Sequence, residues 1–224
     1  MKRKWLTIGI ILSFLTIGTS PIINAQDDTV PQAIGRVPIT ILEYKADGTV
    51  ERTVFRMSPG QADSFHEEMR NTQDLEMRLS IYKKYNLISE DITVDSLQAG
   101  MQDKAQRMGL IQNGLISLFR INRSPFPSNV YRNINCSVSG NDPTFYGFCF
   151  SLFRPLHPSP KILTVISGGC PIKSKGDWGE FDLEIADPII LIGFVGIIEM
   201  GYHNSWRWIQ YDGYCVYAQA KGEY

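Results

Sequence analysis

Three histidines, His66, His157 and His203, are the side chains of this 224-residue chain best suited to move a proton near neutral pH. His66-Glu67 opens like a zinc-protease helix, but Arg70 stands where that motif needs its second histidine. His157 lies between prolines with no ligand close in sequence. His203 stands beside Asn204 and near Trp206 and Asp212, so His203 with Asp212 is the candidate acid–base pair of an extracytoplasmic hydrolase. A turn histidine is the plainer reading.

Nucleophile motifs are thin. Ser80-Ile81-Tyr82-Lys83 matches S-x-x-K, yet its companions S-D-N and K-T-G are absent. Ser167-Gly168-Gly169 lacks the glycine that a nucleophile elbow needs two positions earlier. With no phosphate-cradling loop and no dinucleotide fingerprint, no cofactor is expected, and no metal. The balance leans away from an enzyme.

Aromatic residues offer a different chemistry. Tyr202, Trp206, Trp208 and Tyr211 crowd one stretch, with Tyr214 and Tyr217 close behind. Such a platform could bind a glycan, a lipid headgroup or another surface protein. Because Trp206 and Trp208 share a strand face, ordinary core packing competes with that role.

The amino terminus supplies an address. Lys2, Arg3 and Lys4 precede an apolar run from Trp5 to Ile17, and the Ile23-Asn24-Ala25 stretch ends in a small residue. This is the three-part export pattern, with cleavage expected after Ala25. Retained instead, the segment would make the chain a membrane-tethered accessory protein. Either outcome puts the remainder in the secreted or cell-surface compartment. Removing residues 1–25 deletes three positive charges and no acid, taking the net charge from -1 to -4. An acidic balance argues against nucleic acid as partner, because phosphate binding rests on clustered Lys and Arg.

Export gives the four cysteines a meaning. Cys136, Cys149, Cys170 and Cys215 form no C-x-x-C, which points to disulfides rather than to zinc or redox catalysis. Cys136 and Cys149 stand nearly symmetrically about Ser139–Pro143, a turn cluster, so the expected bridges are Cys136–Cys149 and Cys170–Cys215. Asn122-Arg123-Ser124 and Asn135-Cys136-Ser137 match the glycan acceptor pattern.

The positioning elements follow from periodicity. Residues 26–36 read as a lead-in and 37–224 as one α+β domain, helical to 109 and β-rich from 110. Asp47-Gly48 between the β-rich runs 37–46 and 49–57 predicts a type I′ hairpin. Ser58-Pro59-Gly60-Gln61 reads as a capping box, with Ala62, Phe65 and Met69 on one helix face. Leu75, Leu79 and Tyr82 mark a second helix starting near Asn71, and Leu97, Met101 and Ala105 a third behind a box at Asp95. Glu180–Ile185 alternates acid and apolar residues, as a half-buried strand does. Residues 188–198 are continuously apolar, as in a strand covered on both faces. Asp212-Gly213 predicts a second hairpin in a mainly antiparallel C-terminal sheet. A non-catalytic exported domain, for binding or surface structure, is the function this reading favours.

Overall fold

The structure, a computed structural model, describes residues 35–72, 74–107, 109, 129–142, 148–153, 161–167, 170–203 and 206–222. For 141–142, 148–153, 161–163, 165, 167, 202–203 and 206–207 it describes the backbone alone. The export segment 1–25, Asn122 and His157 lie outside the described residues, as do the side chains of Cys149, Tyr202, His203 and Trp206.

The fold is α+β. Strands β1 (Val37–Tyr44) and β2 (Val50–Met57) are followed by helices α1 (Pro59–Arg70), α2 (Leu75–Lys84) and α3 (Val94–Arg107). Seven strands then follow: β3 (Val130–Asp142), β4 (Phe148–Phe153), β5 (Lys161–Ser167), β6 (Cys170–Gly176), β7 (Gly179–Ile192), β8 (Val195–His203) and β9 (Trp206–Gly222). All nine strands join one sheet in the order β2-β1-β8-β9-β3-β6-β7-β5-β4, and every pairing is antiparallel.

Local chemistry explains the N-terminal half. The hairpin turns through Ala46-Asp47-Gly48, with Gly48 at φ 85° and the Asp47 carboxylate accepting from the Thr49 N–H. Only Gly48 takes positive φ, so this is a three-residue loop rather than the expected type I′ turn. Ser58 caps α1, and the reciprocal bond from its own N–H to Gln61 completes the predicted box. Such a cap is worth about 1 kcal/mol. Helix α2 starts later than expected, capped by Asp74, whose carboxylate accepts from the Met77 N–H. In α3 the cap is Thr93, which exchanges bonds with Ser96, rather than Asp95.

The C-terminal half departs further from expectation. No β3–β4 hairpin forms: β3 lies between β6 and β9, while β4 pairs only with β5. Asp212-Gly213 is not a turn but the middle of β9. The apolar run instead divides at Gly193-Phe194, where Gly193 has φ 68°. Ile192 lies opposite Tyr217 and Val195 opposite Tyr214, so the register does not slip across that bend. The end of β7 and all of β8 thus form one long arm against β9.

Two cores result. Helices α1–α3 cover one sheet face and bury Phe65, Met69, Tyr82, Leu97 and Met101 with Ile39, Ile41, Val195 and Ile197. The second core is drawn from strands and the Phe194 bend, including Leu42, Val138, Ile172, Leu191 and Ile198. The pairs β9–β3, β3–β6, β6–β7 and β7–β9 close a ring, so the sheet encloses much of this core by curling on itself. Neighbours such as Ile197 and Ile198 enter opposite cores, as a strand covered on both faces requires. Ile185 departs from its predicted inward face and is 49% exposed, next to the register shift that follows Ala186.

Candidate functional site

Polar chemistry gathers at two adjoining places, one sealed and one open. The sealed one lies where α1 and α2 cross β8 and β9. Arg78 follows Leu75 by three residues and precedes Tyr82 by four, so all three project from one side of α2. Across from them, Gln210 and Asp212 alternate along β9 on the helix-facing side, and Glu199 lies opposite Gln210.

The contacts form a connected network. Arg78 Nε lies 2.6 Å from Asp212 Oδ1, and the side chains are 3% and 0% exposed. Tyr82 Oη donates to Asp212 Oδ2 at 3.1 Å. Arg78 Nη2 donates to Gln210 Oε1 at 3.2 Å and to the Gly140 carbonyl at 3.3 Å, while Nη1 donates to the Thr72 carbonyl. Gln210 Nε2 meets His66 Nδ1 at 3.3 Å. Trp208 Nε1 donates to Glu199 Oε1, and its ring packs edge-on to His66 with centroids 4.0 Å apart.

Burial sets the electrostatics. Removal from water pushes the Glu199 carboxyl up to about 8, against the pull of Trp208 and Arg78. It also raises Asp212, which Arg78 and Tyr82 hold back. Arg78 stays charged at any accessible pH, so its contact with Asp212 is an ion pair. Glu199 Oε2 is buried without a hydrogen-bond partner. A carboxyl proton at neutral pH removes the charge that burial disfavours.

This network is a structural lock. Glu199, Gln210 and Asp212 are fully buried, and their bonds tie α1 and α2 to β8 and β9. The expected His203–Asp212 pair is corrected on two counts. His203 ends β8 opposite Trp206, and six residues of β9, roughly 20 Å of strand, separate Trp206 from Asp212. Asp212 is also already committed to Arg78 and Tyr82.

The aromatic platform is corrected for the two residues whose side chains are described. Trp208 is 5% exposed and lies over Gly201, where a Cβ would stand 1.8 Å from the indole. Tyr211 is buried in the opposite core and donates to the Pro171 carbonyl at 2.6 Å. Ser80 donates to the Met77 carbonyl and Lys83 to the Glu90 carbonyl, so S-x-x-K holds local backbone. Asn135 is exposed, and its amide donates to Asp177 at 2.7 Å.

The strand order sets the cysteines out differently from the expected pairings: Cys136 of β3 lies beside Cys215 of β9, and β6, β7 and β5 stand between β3 and β4, which carries Cys149. Cys136 and Cys215 are unbridged thiols, and each belonged to one of the expected bonds. The register sets them opposite each other, with 3.5 Å between the sulfurs. Cys149, on β4, faces Ile166 of β5 across the ladder.

The open site is a cleft of about 510 Å³ beside the lock. Ser137 and Ser139 of β3 and Tyr214 of β9 line it together with the apolar Leu75, Val94 and Val138; Ser139 lies opposite Asp212 in the register. Asp74 and Glu76, at the start of α2, form one wall, and Lys173 and Lys175 of β6 with Glu180 of β7 form the other. Opposite charges meet here: Lys173 pairs in register with Asp182 and Lys175 with Glu180. Lys173 Nζ reaches Glu180 at 3.5 Å and Asp182 at 3.9 Å. Among the described residues no three His, Cys, Asp or Glu side chains converge as metal ligands would.

The chain matches no protein-family model, no curated protein and no solved structure. The site's chemistry therefore carries the functional argument.

Sequence reasoning missed both Arg78 and Glu199. A signal for each was present. Arg78 is a lone cation in the apolar stripe of α2, and Glu199 a lone acid after Ile197-Ile198.

Proposed function

We propose that this chain is an exported, non-catalytic binding domain whose working surface is the cleft between the start of α2 and strands β3 and β6. The observation that carries the reading is the cleft's lining, in which lysines and carboxylates share one space with Ser137, Ser139 and Tyr214. Its volume falls in the range of small-molecule sites. Polar groups suited to catalysis are sealed in the lock, which favours recognition over reaction. A lining of both signs suits a small ligand bearing both, such as a zwitterionic lipid headgroup.

Phosphoethanolamine is the probe that tests this. Titrated into labelled protein, it should shift the backbone amide signals of Ser137, Ser139 and Tyr214. Reversing the far wall with Lys173→Glu and Lys175→Glu together should weaken binding at least tenfold. An unchanged spectrum at millimolar ligand would remove the cleft from consideration.

Export rests on the Lys2–Ala25 pattern. Intact mass of the form recovered outside producing cells should lack residues 1–25. A full-length mass in the membrane fraction would select tethering instead. No helix among the described residues is long and apolar enough to cross a membrane.

A further inference from the structure

We propose that Cys136 and Cys215 form a cross-strand disulfide that staples β3 to β9 inside the curled sheet. The pairing differs from both bonds expected from sequence symmetry, and it is independent of the cleft.

The backbone supplies the geometry. Cys136 and Cys215 are direct partners in the β3–β9 ladder, and both side chains enter the same core. Partners in an antiparallel ladder have Cα atoms about 4.5–5.5 Å apart, within the roughly 4.4–6.8 Å that a disulfide spans. The sulfurs already stand 3.5 Å apart, and both residues are 0% exposed. Closing the bond brings the sulfurs from 3.5 Å to the roughly 2.05 Å of a disulfide.

The surroundings hold the pair in place. Gly176 crosses Cys136 so closely that a Cβ there would come within 2.5 Å of the cysteine's own. On the far side of the ladder, Ile134 lies opposite Tyr217, so the strands stay in register beyond the thiols.

The oxidant is a low-molecular-weight disulfide, which meets the thiols while the sheet is still open. One cysteine, as thiolate, attacks the oxidant's S–S bond, releasing one thiol and leaving a mixed disulfide. The second thiolate displaces the remaining half. Two electrons pass to the oxidant, which departs as two thiols carrying the two protons.

The test starts from full-length protein, reduced and unfolded in urea, then refolded in a mixture of reduced and oxidised glutathione. Free thiols are alkylated after a second denaturation, and proteolytic peptides are mapped by mass. We expect the Cys136 and Cys215 peptides linked, with the intact protein lighter by two hydrogens for this bond. The Cys149→Ala/Cys170→Ala variant, which leaves only the proposed pair, should give the same link. Its urea midpoint should fall on reduction, and that response should vanish in Cys136→Ala/Cys215→Ala. Alkylation of both Cys136 and Cys215 in refolded protein overturns the inference. So does a link from either of them to Cys149 or Cys170.

Discussion

Replacing Asp212 with alanine is expected to lower unfolding free energy by about 3–5 kcal/mol, as for other buried pairs that lose one partner. The carboxylate is fully buried and lies 2.6 Å from Arg78 Nε. Removing it strands the guanidinium between α2 and β9, where Gln210 and two backbone carbonyls solvate it without neutralising it. Tyr82 Oη loses its acceptor in the same step. A loss of this size is a large fraction of a typical domain's stability. Urea denaturation followed by circular dichroism measures it. The partner test is Arg78→Met with Asp212→Leu, which removes both charges and keeps most of the volume. This double variant should be more stable than Asp212→Ala alone. A double variant no better than the single one would show that the cost lies in packing rather than in an unpaired charge.

The second large effect is on pH dependence. Glu199 holds its proton up to about pH 8 in the folded chain, against an ordinary value of 4.5. Between these limits the folded state binds a proton that the unfolded state releases, so stability falls as pH rises. The full separation corresponds to roughly 5 kcal/mol. Burial raises Asp212 too, and it adds a slope of the same sign at the acidic end. Lys104 acts in the opposite sense. Its ammonium is buried against the Phe194 carbonyl at 2.8 Å and the Lys45 carbonyl at 3.4 Å, and burial lowers it from 10.5 to about 8. Above pH 8 the unfolded chain is the one that retains this proton, so this group by itself adds stability as pH rises towards 10.5. The fall should therefore ease above pH 8, where the Lys104 slope opposes those of Cys215 and Tyr82, both raised by burial. Glu199→Gln keeps an acceptor for Trp208 and cannot ionise, so it should flatten the falling limb. Lys104→Met should steepen the fall above pH 8. A Glu199→Gln profile parallel to the native one would rule out Glu199 as the titrating group.

How much of this was legible in the sequence depends on how local each cause is. The box at Ser58, the Asp47-Gly48 hairpin and the stripe through Leu97, Met101 and Ala105 involve residues within a few positions of one another. Pattern rules recover such features. The mistakes share a different origin. Asp212-Gly213 carries the local signature of a turn, but Gly213 serves close contact between strands. It lies opposite Gly196, and a Cβ on either would meet backbone of the other strand at 2.3 Å, with the Phe194 ring nearby. No residue beside Gly213 in sequence announces that. The cysteines failed likewise: symmetry about a turn suggested Cys149 as partner of Cys136, while the ladder selected Cys215, 79 positions away. Arg78 and Glu199 were passed over because periodicity sorts residues into apolar and polar faces. A charge on the apolar side breaks that rule, and it was the best available pointer to the lock.

The placement of β9 bears on when the molecule can become itself. This strand pairs with β3, β7 and β8, and it carries Trp208, Gln210, Asp212 and Cys215. A ribosome makes Trp206–Gly222 after every other element named here. Until then β3 and β8 each lack a neighbour, Arg78 lacks its counter-ion, and the ring of strands stays open. Such long-range closure makes for slow folding. Closure of the ring, the Arg78–Asp212 ion pair and the Cys136–Cys215 contact therefore all wait on the last strand to be made.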